Sequence, residues 1–174
     1  MVGEPDIIVL KGAPASGKSQ TAKGLTRFFP GGVKIEVDKL RQMVISADWT
    51  NQAEHINLLE MPARLAYDFL KLNFKPVIVV DTFSGDKIKN FLAALKQLDA
   101  SLRIRIFSLY LAEDVLKKRL DSRSTGEFKD FAISKELNDD VLKYKVEGEH
   151  QIDTSSLLPA QTAEMIYREV SGFN

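Results

Sequence analysis

The sequence predicts an α/β protein, a three-layer sandwich with helices on both faces of a mainly parallel, five-stranded sheet. Short, β-branched apolar runs alternate along the chain with segments of helical periodicity, the order that parallel pairing with right-handed crossovers requires. The length of 174 residues, 44% of them hydrophobic, suits a single core, and no Gly/Ser/Pro-rich linker divides it. One domain over 1–174 is therefore expected.

The strands follow from their patterns. Ile7-Ile8-Val9-Leu10 is continuously apolar, as a strand buried on both faces must be. Val33, Ile35 and Val37 alternate with Lys34 and Glu36, which suits a strand nearer the edge. Val77-Ile78-Val79-Val80 follows Pro76 and ends at Asp81. Leu102, Ile104 and Ile106 alternate with Arg103 and Arg105 before an apolar stretch to Leu111, and Gln151-Ile152-Asp153 supplies a fifth strand. Helices are expected over Ser19–Phe28, Lys39–Ile45, Gln52–Leu72, Asp86–Leu98, Glu113–Asp121, Lys135–Tyr144 and Pro159–Val170. Pro62 is expected to split or kink the third, and Pro159 suits the first turn of the last.

Composition removes several function classes. Lys plus Arg (24) balance Asp plus Glu (24), which excludes a uniformly basic nucleic-acid coat but not a local basic patch. With no cysteine, thiolate metal sites and cysteine nucleophiles are ruled out, and His55 and His150 alone make a poor metal site. The first apolar run is too short for a signal peptide or a membrane span, so a cytoplasmic protein with no membrane association is expected, and no obligate protein partner is evident.

Chemistry enters directly after the first strand. Gly12-Ala13-Pro14-Ala15-Ser16-Gly17-Lys18-Ser19 is a full match to GxxxxGK[ST], the phosphate-binding P-loop. The glycines let consecutive N–H groups turn inward on phosphate oxygens, and the following helix adds the positive end of its dipole. Lys18 is expected to reach the β and γ phosphates, and Ser19 to join a Mg²⁺ shell. The cradle thus comprises Gly12, Ala13, Ala15, Ser16, Gly17, Lys18, Ser19 and the adjoining Gln20, with ATP and Mg²⁺ as its ligands. A chance match arises in under about 1% of chains this long, and here a strand precedes the motif and a helix follows it. Asp81, closing an apolar strand, stands where a Walker-B carboxylate holds Mg²⁺.

No NKxD guanine-reading motif is present, and Asp81-Thr82-Phe83-Ser84-Gly85 is one residue too long for a DxxG switch. A motor ATPase generally needs a larger module, so a compact kinase fits best. The order GAPASGKS, Val37-Asp38-Lys39-Leu40-Arg41, VIVVDTF, Lys118-Arg119-Leu120-Asp121-Ser122-Arg123 resembles the bacteriophage polynucleotide 5′-kinase group and the related zeta-toxin and chloramphenicol phosphotransferase kinases. Ile152-Asp153-Thr154-Ser155 before the last helix is closer to the chloramphenicol phosphotransferase side.

The resemblance implies a nucleotide-kinase-like P-loop fold with a helical lid. It implies Asp38 as the base that activates the acceptor hydroxyl and Arg41 as an acceptor contact; a bland alternative makes Asp38 only a helix cap. The family usually continues its third strand with Thr-Asn, and this chain has Thr82-Phe83. Glu113 with Lys117 and Asp114 with Lys118 are spaced to pair, and Asp121 can also reach either lysine, whereas Arg119 and Arg123 face each other as like charges. The resemblance places such arginines in a lid, here about 119–135 with Gly126 as a hinge, where they stabilise the migrating phosphoryl group. Trp49 reads as a core or rim anchor, Phe128 and Phe131 as acceptor-pocket or lid-packing residues, and neither histidine receives a role.

The expected function is transfer of the γ-phosphate of ATP to a hydroxyl acceptor, first a polynucleotide or nucleoside 5′-hydroxyl. The alternatives are a small-molecule hydroxyl and an ATP-binding module without transferase activity.

Overall fold

The computed structural model describes residues 4–172. Five strands, β1 (Ile7–Gly12), β2 (Val33–Glu36), β3 (Val77–Asp81), β4 (Ile104–Tyr110) and β5 (Glu149–Asp153), form one sheet in the order β2-β3-β1-β4-β5. Every pairing is parallel. The helices are α1 (Lys18–Leu25), α2 (Val37–Arg41), α3 (Gln52–Leu58), α4 (Glu60–Lys71), α5 (Lys87–Leu98), α6 (Glu113–Asp121), α7 (Phe131–Lys143) and α8 (Pro159–Ser171). The α/β sandwich predicted from the sequence is the observed one.

β1 lies in the middle with all six residues buried, and its alternation sorts the core. Ile7 and Val9 face one layer, where they join Leu59, Ala63 and Ala66 from the α3–α4 region and Ile88, Phe91 and Leu95 from α5. Ile8 and Leu10 face the other, built from Ala22 and Leu25 of α1 and Ala163, Ile166 and Val170 of α8. Each fully buried side chain of this size contributes about 1.5–3 kcal/mol. Gly24 lets α1 and α8 approach, because a Cβ there would lie 2.9 Å from that of Ala163.

The differences from expectation have local causes. β2 stops at Glu36, so Val37 and Asp38 already belong to α2, which ends at Arg41 rather than Ile45. The long third helix divides at Leu59, and Pro62 sits in the first turn of α4 where its missing N–H costs nothing. α7 starts at Phe131, four residues early, because Asp130 caps it by accepting from the Ile133 amide at 2.9 Å. β5 begins two residues early, at a buried glutamate.

That glutamate answers a buried lysine. Lys11, 1% exposed at the end of β1, donates from Nζ to Glu149 Oε2 at 3.1 Å and to the Tyr144 carbonyl at 2.8 Å. Glu149 also accepts from Ser108 Oγ and from the Val146 amide, so both carboxylate oxygens are partnered. Removing one member of such a pair leaves an uncompensated interior charge, which costs about 3–5 kcal/mol, whereas replacing both by apolar groups is close to neutral. Glu149→Ala is therefore expected to lower unfolding free energy in urea by about that amount, and Lys11→Met combined with Glu149→Leu to recover most of it. Equal stability of the single and double variants would refute this account.

Candidate active site

Parallel registry puts the carboxyl ends of the strands level: Lys11 stands opposite Asp81, Gly12 opposite Leu109, and Glu36 opposite Val80. In open α/β sheets ligands bind beyond this edge. The P-loop, Asp38 and Asp81 leave the sheet there.

The loop is shaped by two left-handed residues, Ala15 at φ 64° and Gly17 at φ 90°. A left-handed alanine is a strained choice, retained where the loop geometry demands it. Gly12 is required by close approach, since a Cβ would come within 2.5 Å of Ser16 Oγ and 2.7 Å of the Leu109 carbonyl. Lys18 Nζ donates to the Ala13 carbonyl at 3.1 Å. Burial pushes the Lys18 ammonium pKa down, and the nearby carboxylates of Asp38 and Asp81 oppose that shift.

A cleft of about 320 Å³ opens beside the loop, lined by Ala15, Gly17, Lys18, Ser19, Gln20, Arg119, Arg123 and Glu127. The structure thus brings Arg119 and Arg123 to the P-loop. It also corrects the premise that they lack partners. Arg123 is held by Glu127, with Nη2 and Nε at 3.0 and 3.2 Å from Oε1, and Nη1 donates to the Phe128 carbonyl at 2.8 Å. Arg119 Nη2 donates to the Thr154 and Leu157 carbonyls at 2.6 and 3.3 Å. Thr154 in turn donates to the Ser16 carbonyl at 3.2 Å, so Thr154 ties the β5–α8 loop to the P-loop and Arg119 ties that loop to α6. The lysines nearby do pair: Lys118 with Asp114, and Lys117 with Asp121 rather than Glu113, which meets Lys135 instead. Gly126 turns the segment between α6 and α7 at φ 93°. Phe131 packs on Leu111, Leu116 and Leu120, while Phe128 is exposed.

Asp38, in the first turn of α2, lies within electrostatic reach of Asp81, Lys18, His55 and Arg41. Loss of water around it, and then the Asp81 charge, raise its pKa above the ordinary 3.8. Its partner in the sequence reading, Arg41, is placed differently from expectation. The side chain turns inward, 4% exposed, and donates to His55 Nδ1 at 3.1 Å and to the Asp48 carbonyl at 2.6 Å. Trp49 covers its guanidinium at 4.5 Å, a rim position rather than a core one.

Asp81 is 1% exposed; Oδ2 accepts from the Phe83 amide at 3.3 Å, while Oδ1 has no hydrogen-bond partner. A buried carboxylate oxygen without a partner calls for one, and a hard cation is a group able to fill that role. Ser16 Oγ is likewise buried and unpartnered. Among the described residues no group of three or more His, Asp or Glu side chains forms a metal cage. Phe83, standing where the resembled kinases carry Asn, turns into the core at φ 47° and packs on Phe91 at 5.1 Å, so its side chain does not face the cleft.

Two residues went unassigned in the sequence. His55 is buried beside Asp81, and Lys87 at the start of α5 sends Nζ to His55 Nδ1 at 3.3 Å and to Ser84 Oγ at 3.1 Å. Burial lowers the Lys87 pKa. Neither stands in a motif; His55 comes from α3 and Lys87 from the start of α5, and the tertiary fold brings them together beside Asp81.

Solved structures share this fold. The tunicamycin resistance protein of Deinococcus radiodurans superposes with a TM-score of 0.68 at 22% identity, over 97% of this chain and 96% of that one. A gluconokinase from Sinorhizobium meliloti 1021 gives 0.67 at 17% identity, over 97% and 93%. A chain of the Pnkp1/Rnl/Hen1 RNA repair complex gives 0.63 at 21% identity, over 81% of this chain and 45% of that one. No curated protein matches the sequence. No described helix is long and apolar enough to cross a membrane. Residues 7–155 match the AAA domain model AAA_33, and with the P-loop at the carboxyl edge of a parallel sheet the chain belongs to that family of P-loop kinase fold.

Proposed function

We propose that the protein is an ATP-dependent kinase that transfers the γ-phosphoryl group to a hydroxyl acceptor. The observation that carries this is the convergence of the P-loop, two arginines and two carboxylates on one sheet edge. The loop amides and Lys18 hold the triphosphate, while Ser19 and Asp81 hold Mg²⁺. The metal supplies charge neutralisation between phosphate oxygens. Asp38, across the P-loop edge from the arginines, orients the acceptor hydroxyl and takes its proton as the oxygen attacks in line. Arg119 and Arg123 line the opposite wall and balance charge on the migrating group. Arg123 reaches phosphate by exchanging Glu127 for a more highly charged partner, with Gly126 turning the segment that carries it.

Motif order favours a polynucleotide or nucleoside 5′-hydroxyl as acceptor. A second reading, a small uncharged hydroxylated molecule, has support from the structure. Two cations on this side of the site, Arg41 and Lys87, are both bonded to His55, and Met43, Ile45 and Trp49 after α2 are exposed. A labelled-ATP screen over oligonucleotides, nucleosides, sugars and hydroxylated antibiotics tests both. An oligonucleotide acceptor loses apparent affinity steeply with salt, and a neutral one does not. ATP binding with no acceptor phosphorylated would leave a binding module without transferase activity and refute the kinase.

Asp38→Asn is expected to cut turnover by about 10²–10⁴-fold. Because the pKa of Asp38 is raised in the fold, its ionisation opposes folding at pH 7 and that penalty disappears as pH falls. The same variant should therefore raise the melting temperature of the nucleotide-free protein at pH 7. The base must be ionised, so wild-type kcat/KM is expected to fall on the acid side at a higher pH than an ordinary aspartate would dictate. Unchanged turnover in Asp38→Asn removes it as the base. Arg123→Ala is expected to lower turnover by about 10²-fold while weakening ATP binding far less; the reverse pattern removes it from the transition state.

A further inference from the structure

We infer that His55 is a positioning residue for the metal-holding carboxylate, fixing Asp81 so that Oδ1 stays directed to the cation. The inference rests on the reading of Asp81 as a Mg²⁺ ligand and adds a residue to it that no motif contains.

The argument starts from hydrogen-bond accounting. His55 is 7% exposed, on α3, and its Nδ1 meets two donors, Arg41 Nη1 at 3.1 Å and Lys87 Nζ at 3.3 Å. Both donors are cationic groups, and a guanidinium has no lone pair to offer. Nδ1 is therefore the acceptor, and the proton of the neutral ring lies on Nε2. Nε2 lies 3.5 Å from Asp81 Oδ2, a polar contact longer than a tight hydrogen bond. It has no other partner and is buried.

Asp81 then has two unlike oxygens. Oδ2 is held by the Phe83 amide at 3.3 Å and flanked by the Nε2 proton of His55; Oδ1 is buried and unpartnered. Two unsatisfied atoms on one His–Asp contact, Nε2 and Oδ1, are an unusual expense for a stability element. They are accounted for together if a cation draws Oδ1 and the imidazole steadies Oδ2. Outer partners of metal-bound groups commonly act in this way. Arg41 and Lys87 set the ring's tautomer, and through it the acceptor-side helix α2 and the start of α5 are tied to the metal-side carboxylate.

The test separates the two ring nitrogens. In His55→Asn the short amide can replace Nδ1 but not reach Asp81; in His55→Gln the longer one can reach the Nε2 position. Binding of a fluorescent ATP analogue is titrated with Mg²⁺ and, separately, in EDTA, with thermal unfolding as the fold control. The expected result for His55→Asn is about a tenfold rise in the Mg²⁺ needed for half-maximal binding, with metal-free affinity unchanged and His55→Gln close to wild type. In an Asp81→Ala background His55→Asn should add nothing. If the Asn variant does not fold, His55→Phe, which keeps the ring volume, takes its place with the same readouts. Equal weakening with and without Mg²⁺, no change at all, or the full effect persisting without Asp81 overturns the positioning role. A wild type whose nucleotide binding ignores Mg²⁺ removes the metal reading of Asp81 and this inference with it.

Discussion

The carboxyl end of β1 is the fixed point on which the site depends. Lys11 and Gly12 are its last two residues, and each is held by something other than strand pairing. Lys11 is locked to Glu149 and the Tyr144 carbonyl across β4, and Gly12 is in contact range of Ser16 and Leu109 with no room for a side chain. An interior ion pair is a poor source of net stability, because desolvation offsets most of its attraction. What it supplies here is position: the strand cannot slide relative to β4 and β5 without stranding a charge. The phosphate-binding motif begins at Gly12 itself.

From that point the site divides into two electrostatic halves. The nucleotide half has Lys18, Arg119 and Arg123 against Glu127, a local positive region in a chain with no net charge. Its arginines have resting partners, Glu127 and the carbonyls after β5. An anion that displaces Glu127 meets a guanidinium already oriented, so little side-chain freedom remains to be lost. The resting contacts thus preorganise the wall.

Legibility in the sequence follows the range of the interactions. β1, β3 and the P-loop were readable because their signals are local: apolar runs, and glycines required by the backbone. Asp81 was readable because it closes a strand beside that loop, and Asp38 because it follows the second strand at the same sheet edge. Long-range partners were not. Nothing near Lys11 announces Glu149, 138 residues away, and nothing near His55 announces Lys87 or Asp81. Arg41 shows the same limit, since its i,i+3 spacing from Asp38 put it on a shared helix face, while His55 drew it into the interior. One miss was avoidable: Asp130 followed by a helical pattern is an N-cap signal, outweighed by the expectation of a mobile segment.

The acceptor half is close to neutral in a different way. Asp38 and Asp81 have Arg41 and Lys87 nearby, and both cations bond the His55 imidazole rather than a carboxylate. That choice keeps Asp38 free of a direct ion pair, which would lower its pKa and weaken it as a base. It also leaves Asp81 Oδ1 without a competing protein cation. The imidazole separates charges that would otherwise collapse onto one another, holding two cations close enough to stabilise the carboxylates at a distance and too well bonded to quench them. An acceptor that carried its own phosphates would have to pull Arg41 from beneath Trp49, or Lys87 from Ser84, before either could bind it. A hydroxyl on an uncharged framework disturbs none of these contacts.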